Sequence, residues 1–147
     1  MIRTFSLFKH LIGLTLCAVL LLLVAAPASA QHSIIVNKAS AQKASKDEAR
    51  DMFAGAKLTW SDGAKVQVVD QAESEAGKAF YEKVIGKSVN QVRMQWTKLL
   101  LSGQAMAPKK CVDDAAVKKA VAEGPNTIGY ISTSALDETV KELLRIE

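Results

Sequence analysis

The sequence predicts an α/β fold, a single three-layer domain whose mostly parallel sheet is covered by helices on both faces. Two observations lead there. Short β-branched runs at Ile34-Ile35-Val36, Val66 to Val69 and Thr127 to Ile131 are separated by segments with helical periodicity, the alternation that buries a parallel sheet between helices. The helical segments also carry their own start and stop signals, capping boxes ahead of them and glycines behind.

The domain is expected to begin at Gln31. Arg3, Lys9 and His10 precede an uncharged Leu-, Val- and Ala-rich run from Leu11 to Ala26, and Ala28-Ser29-Ala30 supplies small residues at both cleavage-determining positions. That is the pattern of a secretory signal peptide over residues 1–30, leaving 31–147 as the folded domain. The alternative is a membrane anchor, but the run is short for a bilayer that needs roughly 20 apolar residues, and Pro27 ends it. Cys17 lies inside the apolar run behind Leu16, where lipidation needs a small residue.

Ile34-Ile35-Val36-Asn37 is too short and too β-branched for a helix and reads as a buried first strand. Ser45-Lys46-Asp47-Glu48 forms a capping box for a helix that puts Ala49, Met52 and Phe53 on one face and stops at Gly55. Trp60, in the loop that follows, reads as a packing anchor. After the turn Ser61-Asp62-Gly63, Val66, Val68 and Val69 form a central strand. The loop Asp70 to Glu75 then leads into a helix bearing Phe80, Tyr81, Val84 and Ile85, closed by Gly86.

Ser88-Val89-Asn90-Gln91 is a second capping box. Val89, Val92, Trp96, Leu99 and Leu100 recur behind it at helical spacing up to Gly103, the longest regular element. Gln104 to Cys111 is irregular, with Lys109-Lys110 read as a solvated edge. Asp113 or Asp114 caps a helix with Ala116, Val117, Ala120 and Val121 on its apolar face, closed by Gly124-Pro125. Thr127-Ile128-Gly129-Tyr130-Ile131 is a strand in which Gly129 permits close backbone approach. Residues 139–146 suit either a helix through Val140, Leu143 and Leu144 or an imperfectly alternating strand through Val140, Glu142, Leu144 and Ile146.

Charge and composition exclude several function classes. The whole chain carries +4, and loss of Arg3 and Lys9 leaves 17 basic against 15 acidic residues, a net +2. With few and scattered aromatic residues, this is no nucleic-acid platform. Beyond residue 30 the one cysteine, Cys111, can form no internal disulfide and reads as a partly buried small residue. His32 stands beside the expected new N-terminus, a poor place for a general base or a metal ligand. No catalytic constellation and no glycine-rich phosphate loop is present, so neither enzyme activity nor a cofactor or metal is expected.

The order of motifs goes further. Met52-Phe53-x-Gly55, Trp60-Ser61-Asp62-Gly63, Val68-Val69, a loop into a helix with Phe80-Tyr81, and Gly124-Pro125-Asn126-x-Ile128-Gly129-Tyr130 together resemble the type II periplasmic-binding-protein family. The likeness is greatest to substrate-binding proteins of phosphate ABC transporters and runs from Ile34 to Ser132. It implies one lobe of a two-lobed fold, non-covalent solute binding in the periplasm or outside the cell, and partnership with an ABC transporter or envelope protein. A single lobe supplies half a cleft, which a second copy can complete as a homodimer.

In that family the loop after the Val-Val strand carries an Arg and then Ser-Gly-Thr, which hold phosphate. By position the Arg falls on Asp70 or Gln71 and the Ser-Gly-Thr on Glu75-Ala76-Gly77. The resemblance therefore directs attention to Gln71, Ser74, Glu75, Ala76 and Gly77, whose backbone amides and side chains would hold phosphate or another small solute. Asp70, Glu73 and Glu75 oppose an anion there, since a helix N-terminus offers roughly half a positive charge against up to three negative ones. Those carboxylates can instead stabilise the helix start or form a cation or amine site. The competing function is a protein-interaction module of the cell envelope that keeps the fold without the anion site.

Overall fold

A computed structural model describes residues 31–147. The signal-peptide segment expected over 1–30 lies outside the described residues. Among the described residues five strands and four α-helices follow in the order β1 (His32–Asn37), α1 (Lys46–Ala54), β2 (Gln67–Asp70), α2 (Glu75–Phe80), α3 (Val89–Leu101), β3 (Lys109–Lys110), α4 (Asp114–Glu123), β4 (Thr127–Ser132) and β5 (Val140–Ile146). A π-helical turn, Tyr81–Ile85, prolongs α2, and a 3₁₀ turn, Thr133–Ala135, follows β4.

The strands form one sheet in the order β3-β2-β4-β1-β5. β2 pairs in parallel with both β3 and β4, while β1 runs antiparallel to β4 and β5. Four strands thus point one way and β1 alone points the other. The sheet is mixed and mostly parallel, as expected.

Strand periodicity sorts the core into two layers. Ile34, Val36, Val68, Ile128 and Tyr130 face α1, α2 and α3, where they meet Phe53, Phe80, Tyr81 and Trp96. Ile35, Val69 and Ile131 face the other way, onto Val117, Ala120 and Val121 of α4. At Gly129 a Cβ would stand 2.8 Å from Val117 Cγ1 and 3.0 Å from Val121 Cγ2, so its absence lets α4 lie directly on β4.

Local signals explain where the helices begin and end. Both capping boxes close: the Ser45 hydroxyl accepts from the Glu48 N–H and the Glu48 carboxylate from the Ser45 N–H, and Ser88 and Gln91 repeat the exchange. Asp113 caps α4 by accepting from the Ala116 N–H. Gly55 and Gly86 end their helices in the left-handed conformation. Trp60 is buried and its indole N–H donates to the Asn126 carbonyl at 3.1 Å, pinning its loop to the chain entering β4.

The tail is the strand alternative, and its imperfect alternation has a cause. Ile34 pairs with Leu144 but Ile35 with Glu142, so Leu143 is an extra residue bulged out of the ladder. A bulge reverses the inside-outside parity of the residues beyond it. Val140 accordingly packs in the α4 layer and Ile146 in the opposite one, although their even spacing would put both on one face of a regular strand. Lys109-Lys110, expected as an irregular edge, forms the short β3 and remains exposed.

Candidate functional site

Ligands of open α/β sheets collect beyond the carboxyl ends of the strands. Here the ends of β2 and β3 lie side by side, with Asp70 in register with Lys110. Beyond them opens a cleft of about 240 Å³, walled by the loop after β2, the start of the π turn, one face of α3 and the segment 107–111. Val89, Val92, Trp96 and Leu100 make an apolar wall, and Asp70 brings a carboxylate to it.

Asp70 is the cleft's unusual group. Its Oδ1 accepts from the Tyr130 hydroxyl at 3.1 Å. Burial raises its pKa above the ordinary carboxylate value, partly offset by the Tyr130 and Tyr81 hydroxyls and the Ala72 N–H. No ion pair among the described residues includes Asp70. Tyr81 is buried at 1 % exposure, and its hydroxyl, though near Asp70, has no partner in hydrogen-bonding geometry. Burial first and the Asp70 charge second push the Tyr81 pKa well up, so it is a neutral phenol.

At the mouth two cations share one carboxylate. Arg93 meets Glu73 at 2.5 Å and Lys110 lies 3.8 Å from the same carboxylate. The Trp96 indole is held by its N–H, which donates to the Phe53 carbonyl at 3.0 Å. Cys111 also lines the cleft, and burial raises the pKa of its thiol, the opposite of an activated nucleophile.

The five residues selected from the sequence share one turn beside this cleft, and most are committed to the fold. Gln71 is buried, its amide donating to Asp114 Oδ1 at 2.7 Å and to the Tyr130 carbonyl at 3.2 Å. The Ser74 hydroxyl accepts from the Gly77 N–H and donates to the Gln71 carbonyl, which makes it the cap of α2. Glu75 points to solvent and pairs with Lys78. Ala76 is exposed. A Cβ on Gly77 would stand 2.1 Å from the Gln71 carbonyl oxygen, so this glycine lets α2 close over the loop.

The three loop carboxylates also part company: Asp70 turns inward to the cleft, Glu73 to Arg93 and Glu75 to Lys78. His32 is not loosely held at a chain end. It is the first residue of β1, 5 % exposed, edge-on to Phe80 at 5.4 Å between ring centroids, and burial lowers its pKa.

Among the described residues no group of three or more His, Cys, Asp or Glu side chains is arranged to hold a metal ion. No family model and no curated protein matches the chain. Solved structures do. An ABC-type phosphate transport receptor from Vibrio cholerae matches with a TM-score of 0.61 and 20% identity, over 78% of this chain and 46% of that one. PstS from Borrelia burgdorferi matches with a TM-score of 0.56 and 13% identity, over 78% of this chain and 47% of that one. The fold resembles one lobe of a phosphate-binding protein. The chain spans less than half the length of these neighbours, and at such identities the likeness is one of fold.

Tyr81, Val92, Arg93, Trp96 and Lys110 line the cleft without having been singled out from the sequence as site residues. In the sequence Tyr81, Val92 and Trp96 read as helix-face residues and Lys110 as part of a solvated pair, and Arg93 carries no signal of its own. The strongest available clue was an acidic residue ending an otherwise apolar strand.

Proposed function

We propose that this protein is an exported, non-catalytic solute-binding module, similar in build to one lobe of the phosphate-binding component of an ABC transporter. The observation that carries this reading is the cleft at the carboxyl ends of β2 and β3, lined by apolar side chains with Asp70 and Tyr81 among them. A preformed, largely apolar recess with few polar groups is the usual form of a small-molecule site. A ligand that binds only the folded state raises the melting temperature as its concentration passes the dissociation constant. Thermal titration of the exported protein with phosphate, sulfate, sugars, amino acids and amines is the test. A saturable rise with one class supports the reading, and a flat response across the panel removes it.

A second reading is a cell-envelope interaction module that keeps the fold without a solute. Met94, Leu101, Met106 and Val112 favour it, being large apolar residues 60 %, 83 %, 63 % and 82 % exposed. Sedimentation with and without solute separates the two: a monomer, or a pair that forms as solute is added, supports the first, and association that rises with concentration whatever solute is present supports the second.

A further inference from the structure

We propose that the cleft takes a small primary amine carried on an apolar body, with the ammonium against Asp70. This rests on the solute-binding reading and names its ligand class. Asp70 is a half-buried carboxylate that no cation meets among the described residues, set beside the apolar wall of Val92, Trp96 and Leu100. An ammonium group supplies the missing charge and donates to the carboxylate.

An anion is the wrong partner for the same carboxylate. Asp70 repels it, and Arg93 at the mouth is bound by Glu73, which leaves Lys110, 76 % exposed, as the one cation there among the described residues without a close partner. The rest of the wall selects the body of the ligand. Val92, Trp96 and Leu100 offer apolar surface, and the Trp96 ring adds attraction for a cation within about 6 Å. At about 240 Å³ the cleft suits a molecule no larger than an arylalkyl or branched alkyl amine.

Calorimetric titration of the exported protein, as the cell processes it, with phenethylamine, isoamylamine, phenethyl alcohol and phosphate tests this. Saturable binding of the amines is expected, with the alcohol at least about tenfold weaker because it cannot pair with a buried charge. Asp70→Asn should weaken the amines by about tenfold or more. Equal affinity for amine and alcohol, or amine binding untouched in Asp70→Asn, overturns the proposal. Should Asp70→Asn fail to fold, the amine-alcohol comparison decides it on its own. Binding of phosphate without binding of either amine overturns the ligand class and leaves solute binding standing. Silence with all four, together with no response to any class in the thermal panel, overturns both.

Discussion

The two faces of the sheet are built to different standards. The α4 face is aliphatic and closed: Ile35, Val69, Val117, Val121 and Ile131 are fully buried, and Gly129 draws the helix down onto the strand. The opposite face is aromatic and layered with polar atoms. Phe80 stacks on Tyr130 with ring centroids 3.7 Å apart, Phe53 meets both edge-on, and Tyr130 reaches on to Asp70. The cleft opens only on that second side of the carboxyl edge. One face is closed and the other carries the cleft, whose polar groups are ones a purely structural core would omit.

That contrast can be broken experimentally. The largest effect is expected from Phe80→Ala, which removes the ring joining helix to aromatic layer and should cost about 3–5 kcal/mol in urea unfolding. A loss below about 1 kcal/mol would mean that the aromatic layer does not hold the second face. Gly129→Ala probes the closed face and should cost about 1–3 kcal/mol through overpacking against Val117 and Val121. Tolerance there would show that α4 floats. Ser45→Ala removes one half of a capping box and should cost about 1 kcal/mol. The partner carboxylate, Glu48, is held at about 2 chiefly by its bond to Lys57, then by the Ser45 N–H. Its support is therefore present above the ordinary glutamate range and fades as pH falls toward 2.

Asp70→Asn has the smallest expected effect on stability at acid pH and the most informative trend. The folded protein raises the Asp70 pKa, so it binds that proton more tightly than the unfolded chain does. The wild type is accordingly penalised as pH rises from about 4, the ordinary aspartate value, through the raised folded value. Paired denaturation curves should show the variant gaining on the wild type across that interval and holding its gain at neutral pH. A constant difference across pH would contradict a desolvated Asp70.

Much of the closed face was legible in the sequence because local rules decide it. Val117, Ala120 and Val121 recur at helical spacing, Asp113 caps them, and Gly129 interrupts a β-branched run. The tail was not legible, because the bulge at Leu143 reverses the parity on which a strand is recognised. β3 is two residues long and carries no apolar signal. The cleft was half-legible. The loop after β2, singled out from the sequence, does wall the cleft at Ala72 and Glu73, but whether Gln71 faces that cleft or the protein depends on Asp114 and the Tyr130 carbonyl, groups 43 and 59 residues away in sequence. Asp70 lay in plain view as a loop carboxylate, and only folding turned it inward.

The most direct measurement is a backbone amide NMR titration of the protein with phenethylamine, followed by the same titration with phosphate. Progressive, saturable shifts at Ala72, Tyr81, Arg93 and Trp96, with α4 silent and phosphate without effect, are the predicted result. Shifts at Glu75, Ala76 and Gly77 with phosphate, while the amine moves nothing around Asp70, would contradict the account and return the site to the start of α2.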